Sequence, residues 1–470
     1  MAHGHLDSLS AADESYLHRE SATTQMHIGG VALFEGTPPG HVELLQHVGG
    51  RLALVPRYRQ KVVAPPAGMG RHRWVDDGAF DIDFHVRRAA LPAPGGEDEL
   101  RSLAARIFSQ RLDRSRPLWE MLLVEGFAHA RFAIINKTHH TLIDGVSGVD
   151  LMTVLFDPTR EPREVAQEPW LPRPSPSAAS LSASVAGGYA RAAAALPERA
   201  ARAARRPRST MARVGGSLGA MTESTLGAAL RPMGSSSLNV RVGGHRRIAF
   251  TLAQLDDFKL VKDAFGGTVN DVVLTVVSGA LRRWYETRGE RTRGVTLRAG
   301  VPVSTRSAGD EGEFGNQVSL VVAPLPLHIA DAVECLGVIS KAMRGIKRSR
   351  QAVGAQAIIE LQGFAPPTIL AQASRLPFSD RLYNVVVTNV PGPQLPLYVL
   401  GRELTALYPL PPLIGDRAVA IAVISYNGGV SFGLLGDFDA LPDIDVIAAG
   451  IAATLAELVE RAQDVAGHAG

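Results

Sequence analysis

Two adjacent histidines, followed by an aspartate and a glycine, form the part of the sequence best suited to chemistry. The stretch "NKTHHTLIDGVSG" places Asp144 and Gly145 four and five residues after His140, which directly follows His139. A neutral imidazole, with an ordinary pKa of about 6.5, accepts a proton from a hydroxyl or amine nucleophile at neutral pH. The pair therefore fits a general base, although hydrogen-bonded packing is the commoner role of two histidines taken alone.

Two other kinds of site fit the same stretch less well. A metal ion needs three converging ligands, but neighbouring residues of a strand point to opposite faces, so His139, His140 and Asp144 do not converge. A nucleophilic serine at a strained turn is followed two residues later by glycine, whereas Val149 occupies that place after Ser147. We therefore expect neither a metal site nor a serine nucleophile.

The segments that must position the histidines have strand-like patterns. "LWEMLLVEG" and "ARFAIINKTHH" are apolar and separated by a short loop, which predicts antiparallel neighbours in a sheet. On such a strand His139 and His140 face opposite directions, so only one of them faces a given cleft. Asp144 suits a helix cap, and Gly145 lets the backbone pass close to another element. The predicted arrangement is a strand, a tight loop and the start of a helix.

Length and composition bound the architecture. The chain has 470 residues, of which 46% are hydrophobic and 20% charged, values typical of a globular protein too long for one core. Strand-like and helical patterns occur in both halves, so we predict an α/β fold with two lobes of mixed sheets and covering helices. The expected boundaries are an N-terminal lobe at 1–156, an Ala/Arg/Pro-rich connector with short helices at 157–244 and a C-terminal lobe at 245–470.

Charge and cysteine content narrow the class further. The net charge of +3 is a mild basic surplus, which argues against a nucleic-acid-binding protein. The single cysteine, Cys335, excludes an internal disulfide and fits a cytoplasmic protein. Because its helical segment has no paired base, we expect Cys335 to be a small core residue. No apolar run approaches the ~20 residues of a membrane span, so any membrane contact is expected to be peripheral.

The connector has a local surplus of basic residues. Its arginines lie beside apolar side chains, a composition typical of a helix along the inner face of an anionic membrane or along a lipid droplet. A solvated linker is equally compatible, because glycines and prolines interrupt the apolar face. The arginines are Arg191, Arg199, Arg202, Arg205, Arg206, Arg208 and Arg213.

The histidine motif also resembles a known signature. "HHTLIDG" matches the His-His-x-x-x-Asp-Gly pattern of the chloramphenicol acetyltransferase-like superfamily of acyltransferases and condensation domains. More closely, the chain resembles the bacterial wax ester synthase/acyl-CoA:diacylglycerol acyltransferases. The stretches that carry this resemblance are "DESYLHRESATTQMHIGG", "RPLWEMLLVEG", "TVNDVVL", "VPVSTR", "EFGNQVS", "VTNVPGP" and "ISYNGGVSFGLLGD". The resemblance implies two chloramphenicol acetyltransferase-like lobes with an active-site tunnel at their interface.

The resemblance also implies roles for particular residues. His140 becomes the general base, His139 and Gly145 shape its loop, and Asp144 is structural, paired with an arginine for which Arg306 is a candidate. The implied substrate-binding residues are Pro117, Leu118, Trp119, Asn270, Asp271 and Arg306. Asn270 and Asp271 are equally compatible with the simple start of a helix.

The implied activity is O-acyl transfer from acyl-CoA to diacylglycerol, to a long-chain alcohol, or to both, without an acyl-enzyme and without a cofactor. Lys341, Arg344, Lys347 and Arg348 share one face of a predicted helix. That face suits the phosphates of coenzyme A, although a solvated helix face has the same composition. Two alternatives stay open: a condensing enzyme with a carrier-protein-bound acyl donor, and a non-catalytic lipid-surface protein of the same fold.

Overall fold

The structure is a computed structural model that describes residues 6–66, 70–142, 155–165, 169–183, 186–187, 236–304, 318–348 and 382–469. Its α-helices are α1 (Ala11–Arg19), α2 (His41–Arg51), α3 (Ile82–His85), α4 (Glu97–Ser109), α5 (Leu255–Phe265), α6 (Val269–Thr287), α7 (Ala332–Arg348) and α8 (Ile444–Ala469). Short 3-10 turns follow α2 at Leu52–Leu54 and Pro56–Arg59, and a third covers His140–Leu142.

The strands form two large sheets and a small hairpin. In chain order they are β1 (His27–Glu35), β2 (Gln60–Val63), β3 (Arg73–Asp76), β4 (Val86–Ala90), β5 (Trp119–Phe127), β6 (Arg131–His139), β7 (Arg246–Gln254), β8 (Leu297–Ser304), β9 (Val318–Leu325), β10 (Val385–Pro391), β11 (Tyr398–Val399), β12 (Arg402–Leu410), β13 (Val419–Tyr426) and β14 (Gly429–Asp437). The hairpin consists of β2 and β3.

The first large sheet has the strand order β11-β12-β1-β6-β5-β4. β5 and β6 are antiparallel, as predicted, and β1 is antiparallel to β6 on one side and to β12 on the other. β4 is parallel to β5, so the sheet is mixed. β11 and β12 come from residues 398–410, which the expected boundaries place in the C-terminal lobe. That part of the chain therefore contributes two strands to the first sheet.

The second large sheet has the order β7-β14-β13-β10-β8-β9. β10 is parallel to β8 and to β13, while the other pairs are antiparallel. Helices α5, α6, α7 and α8 share one apolar core with this sheet. The core includes Trp284, Ile451 and Cys335. The predicted α/β fold with mixed sheets and covering helices is confirmed. Cys335 is buried on α7, as expected, and burial raises the pKa of its thiol to about 11.

The two sheets pack against each other through a separate apolar core. Val31 and Leu33 of β1 belong to the same cluster as Ala420 of β13 and Leu435 of β14. A Cβ atom on Gly433 of β14 would lie 1.8 Å from the Pro409 carbonyl oxygen of β12. Only glycine fits there, because any side chain would push β14 away from β12. The backbones of the two sheets are therefore in direct contact at this point.

The beginning of the predicted connector is anchored to the first half of the chain. Arg51 on α2 forms a buried ion pair with Asp157 at 2.8 Å, and the backbone of Asp157 pairs with that of Tyr398 on β11. The arginines of the connector lie outside the described residues. Within the described ranges, no single helix has the length and apolar composition of a membrane span; α5 and α6 meet that criterion only together, as a pair bent by 100°.

Candidate functional site

The two histidines lie where β6 ends and the 3-10 turn begins. The His139 backbone N–H donates to the Leu118 carbonyl at 2.9 Å, and the His140 backbone N–H donates to the Met26 carbonyl at 2.8 Å. Leu118 directly precedes β5 and Met26 directly precedes β1, the two strands that flank β6. The backbone of the pair is therefore fixed from both sides, as expected for residues that must hold one geometry.

His139 is fully buried and its ring is held by the turn that follows. The Thr141 backbone N–H donates to Nδ1 at 3.2 Å, and the Thr141 hydroxyl oxygen lies 2.9 Å from the same atom. Burial lowers the pKa of His139 to about 3, and the positive charges of Arg114 and of a protonated His140 act in the same direction. His139 is consequently neutral, and its ring has no face directed to solvent.

His140 is only partly exposed, and its ring stacks on Tyr16 of α1 with centroids 3.9 Å apart and planes inclined by 27°. Burial lowers its pKa to about 4, while an interaction with its own backbone carbonyl opposes that shift. Nδ1 is buried and makes no hydrogen bond to another described residue. His140 is therefore a neutral imidazole at physiological pH, which is the protonation state that a general base requires.

The helix that carries Tyr16 also brings a carboxylate to the other histidine. Glu20 directly follows α1; its side chain is buried, and Oε1 lies 3.7 Å from Nε2 of His139. Arg114 donates from Nε to Oε2 of Glu20 at 2.7 Å. None of Tyr16, Glu20 and Arg114 is among the sequence-predicted site residues, although Tyr16 and Glu20 belong to the family-like stretch "DESYLHRES".

Buried polar side chains join the end of α4 to the strands beside the histidines. Lys137 of β6 donates to the carbonyl oxygens of Ile107 and Gln110, both at 2.9 Å, and also pairs with Glu120. His27 of β1 lies opposite His139 in the sheet and contacts the Phe108 carbonyl through Nε2 at 3.0 Å. Polar groups this deep in a protein are stable only when paired, so these bonds fix the region around the histidines.

Pro117, Leu118 and Trp119 lie next to the site but are buried against protein. Trp119 Nε1 donates to the Tyr58 carbonyl at 2.8 Å, and its ring stacks on His85 at 4.6 Å. Leu118 holds the backbone of His139 through its carbonyl. Leu118 thus supports His139 directly, Trp119 is fixed by other parts of the first half of the chain, and direct contact of the three residues with substrate stays a prediction.

Asn270 and Asp271 lie at the N-terminus of α6, in the second half of the chain. Asp271 is buried and forms a capping box with Thr268: its carboxylate accepts from the Thr268 N–H at 2.9 Å. Asn270 is partly exposed, and its Oδ1 accepts a 3.4 Å hydrogen bond from Nδ2 of Asn389 on β10. Asp271 therefore has the predicted role at the start of a helix. Asn270 links the stretch "TVNDVVL" to the stretch "VTNVPGP" through its hydrogen bond to Asn389.

The remaining predicted residues are only partly covered by the structure. Asp144, Gly145, Ser147 and Arg306 lie outside the described residues. Lys341 and Arg344 are exposed on α7, while the side chains of Lys347 and Arg348 are outside the described part of the helix. In the part of the chain that is described, no three His, Cys, Asp or Glu side chains are grouped so that they could hold a metal ion.

Comparisons with solved structures agree with this architecture. A wax ester synthase/diacylglycerol acyltransferase from Marinobacter aquaeolei VT8 superposes with a TM-score of 0.67 at 27% identity, covering 97% of this chain and 100% of that one. The starter condensation domain of rhizomide synthetase RzmA gives a TM-score of 0.56 at 14% identity, over 98% of this chain and 94% of that chain. At this low identity, the likeness to the condensation domain shows a shared fold and nothing further.

Sequence comparisons cover nearly the whole chain. A probable diacylglycerol O-acyltransferase of Mycobacterium tuberculosis, tgs1, is 33% identical over 460 residues, which are 97% of this chain and 96% of the relative. A second from the same organism, tgs2, is 34% identical over 473 aligned residues, with 96% and 99% covered. The family profile of the wax ester synthase/diacylglycerol acyltransferase catalytic domain matches residues 9–273, and the profile of the C-terminal domain matches 314–459. This chain therefore belongs to the wax ester synthase/diacylglycerol acyltransferase family.

Proposed function

We propose that this protein is an acyl-CoA-dependent O-acyltransferase that joins a long-chain acyl group to the hydroxyl of diacylglycerol, of a long-chain alcohol, or of both. Its relatives, which align with almost the entire chain, are named as enzymes of this class, and this supports the reaction. The structural observation that carries the proposal is the neutral, partly exposed imidazole of His140 at the end of β6. A hydroxyl acceptor needs such a base, because its proton must leave as the new ester bond forms.

The contacts of the two rings assign the role of base to His140. His139 is 0% exposed, and one of its ring nitrogens already accepts from the Thr141 N–H. A base must reach the proton that it takes, within about 2.6–3.2 Å or through one water. The buried ring of His139 does not offer that access, whereas His140 is partly exposed and its ring has no hydrogen bond to another described side chain.

The reaction follows from one base and two substrates. The acceptor oxygen attacks the thioester carbon while its proton passes to a ring nitrogen of His140. The tetrahedral intermediate collapses, the C–S bond breaks, and the sulfur of coenzyme A leaves with the electron pair and receives the proton from His140. The products are an ester and free coenzyme A, and His140 returns to its neutral form without a covalent intermediate. A positioned base supplies ~10²- to 10⁴-fold of rate acceleration.

We place the two substrates between the lobes, in the tunnel that the family resemblance implies. The contacts of the segment before β1 support this position. The Met26 carbonyl accepts from the His140 backbone N–H, and the neighbouring Gln25 accepts through Oε1 from Arg246 of β7 in the second sheet. Arg246 also donates to the Thr23 carbonyl at 2.6 Å. The second sheet therefore comes close to the segment that fixes the backbone of His140.

The proposal is tested with purified protein, labelled long-chain acyl-CoA and either diacylglycerol or a long-chain alcohol. We expect labelled triacylglycerol, wax ester or both, separated by thin-layer chromatography. His140→Ala should lower kcat by about 10²- to 10⁴-fold. His328→Ala, an exposed histidine of the second half, is the matched control and should retain full activity. Ester formation that survives unchanged in His140→Ala would contradict a catalytic role and support a lipid-surface protein.

The same assay separates the acyl donors. A carrier-protein-bound acyl thioester replaces acyl-CoA in a parallel reaction, with all other components unchanged. We expect ester from acyl-CoA, and rapid transfer from the carrier protein alone would favour the condensing-enzyme alternative.

We also propose that the protein is cytoplasmic and binds peripherally to the inner face of the membrane or to lipid droplets, because both acceptors dissolve in lipid. The basic composition of residues 191–213 supports binding to anionic lipid surfaces. Sedimentation with phosphatidylglycerol vesicles should exceed that with phosphatidylcholine vesicles and should fall with salt. Equal partitioning to both vesicles would contradict an electrostatic contact.

A further inference from the structure

The protons on His139 can be assigned from its hydrogen bonds. A backbone N–H only donates, so the Thr141 N–H at 3.2 Å makes Nδ1 of His139 an acceptor. Because the ring is neutral, its single proton is then on Nε2. The assignment therefore rests on the Thr141 contact together with the lowered pKa that keeps the ring neutral.

The proton on Nε2 faces a carboxylate. Oε1 of Glu20 lies 3.7 Å from Nε2, both atoms are buried, and neither has a hydrogen bond to another described group. A negative charge at this distance, shielded from water, favours the tautomer whose N–H dipole points at it. At 3.7 Å the two atoms are beyond hydrogen-bond distance, so the contact between them is electrostatic. Glu20 and Nε2 of His139 therefore form one unit.

Glu20 is itself fixed in place. Its backbone N–H donates to the Tyr16 carbonyl at 3.1 Å and ends α1. Its carboxylate accepts from Arg114 Nε at 2.7 Å, and the same guanidinium donates to the Leu17 carbonyl at 2.8 Å. Arg114 thus ties the carboxylate to the end of its own helix, in addition to neutralising its charge.

The same helix contacts both histidines. Tyr16 stacks on the ring of His140, and Glu20, four residues later, faces the ring of His139. Thr141, whose backbone N–H donates to His139, directly follows His140 and lies inside the turn His140–Leu142. A rotated ring at His139 would lose that bond and release the turn that aims the base. Errors of about 1 Å in the position of a catalytic group lower rates by ~10²-fold.

On these grounds, and resting on the proposed function, we propose that Glu20 and Arg114 are positioning residues for the base His140. They hold His139 as the Nε2–H tautomer, and His139 in turn holds the turn that carries His140. This assigns a purpose to the first histidine of the pair. An acceptor toward Thr141 and a donor toward Glu20 are both needed at position 139, and neutral imidazole supplies them on one rigid ring.

The first test measures the tautomer directly and uses no substrate. Long-range ¹H–¹⁵N NMR spectra of protein labelled at its histidine nitrogens distinguish protonated from bare ring nitrogens. We expect His139, identified by the signals lost in His139→Gln, to have a proton on Nε2 and none on Nδ1. A proton on Nδ1 in the unmutated protein would overturn the proposal, whether or not the proposed activity holds.

The second test compares two glutamates of one helical segment. Glu20→Ala and Glu20→Gln remove the charge that faces His139, while Glu14→Gln removes an equally buried carboxylate that pairs with His72 instead. We expect Glu20→Ala to lower kcat by about 10- to 100-fold with unchanged KM, and Glu20→Gln to fall between it and the unmutated protein. Glu14→Gln should keep kcat. Unmutated kcat in Glu20→Ala, or an equal loss in Glu14→Gln, would overturn the positioning role.

Discussion

The first and second sheets carry their motif residues in different ways. At the end of β6 in the first sheet, the histidines sit among buried polar groups: Glu20, which pairs with Arg114, and Lys137, which donates to carbonyls at the end of α4. At the start of α6, beside the second sheet, Asp271 is used by the helix itself as part of its capping box. Of the two motif residues Asn270 and Asp271, only Asn270 is partly exposed.

The polar groups at the end of β6 fix the position of the histidines, whereas Asp271 at the start of α6 stabilises its own helix. Buried side chains that are fixed by hydrogen bonds and ion pairs hold a reactive side chain in one geometry before substrate arrives, which is where enzymes gain most from fixed dipoles and charges. A capping box stabilises the end of a helix and does little else. With His140 as the proposed base, the proposed chemistry belongs to the first sheet.

The largest expected effect is a different response of the two sheets to acid. All histidines whose pKa is lowered by burial precede residue 141: His27, His47, His85, His139 and His140. Between the ordinary pKa of 6.5 and the folded value of about 3 for His139, the unfolded chain binds more protons than the folded one. The free energy of unfolding must therefore fall as the pH drops below 6.5, by about 2 kcal/mol at pH 5 from His139 alone.

Hydrogen exchange at pH 7 and pH 5, corrected for intrinsic rates, resolves this effect by region. β1 and β6 should lose more protection than β13 and β14. His27→Gln, which removes one titrating ring while keeping a group able to donate to the Phe108 carbonyl, should weaken the pH dependence. An equal loss of protection in both sheets would show that the buried histidines do not set the acid response.

The next effect separates the two neighbours at the start of α6. Asp271→Ala should lower the free energy of unfolding by about 1–2 kcal/mol, because the capping box is lost at a buried position. Asn270→Ala removes only one long hydrogen bond to Asn389 and should change stability by less than about 0.5 kcal/mol. Urea unfolding measures both. If Asn270→Ala nevertheless lowers kcat while Asp271→Ala retains it at low temperature, Asn270 contacts the reacting groups.

The smallest expected effect concerns the basic face of α7. If Lys341 and Arg344 attract the phosphates of coenzyme A, reversing both charges should raise the KM for acyl-CoA by about two- to fivefold at low salt. The increase should disappear at high ionic strength, where exposed charges are screened. Lys259→Glu on α5 is a matched exposed charge reversal and should leave the KM unchanged. Identical KM values in all three proteins would identify α7 as a solvated surface.

Much of the fold was predictable from local patterns. The antiparallel pair that ends in the histidines, the helix start at Asn270 and Asp271 and the buried Cys335 follow from apolar periodicity and caps. Such signals are local, and the structure preserves them. The predicted role of His140 rests on a family-like motif, and the structure adds the reason why His139 is less suited to be the base: it is buried and already hydrogen-bonded.

What the sequence did not predict depends on contacts between distant positions. Glu20 and Arg114 are 94 residues apart, and no periodicity connects a charge at one place to a charge at the other. β12 was not predicted either; its segment "RELTALYPL" contains charged residues and Pro409, which obscure the alternation of a strand. Its partner β1 lies more than 350 residues earlier in the chain. Register over such a separation is decided by the assembled sheets.

The position of β12 has a consequence for how the molecule is made. Until residue 410 has left the ribosome, β1 has a neighbour on one side only and presents a row of unpaired N–H and C=O groups on the other. Bare edges of this kind recruit strands from other chains. In a nascent chain, the edge of β1 therefore stays uncovered through most of translation. Truncated versions that end before residue 398 are expected to aggregate.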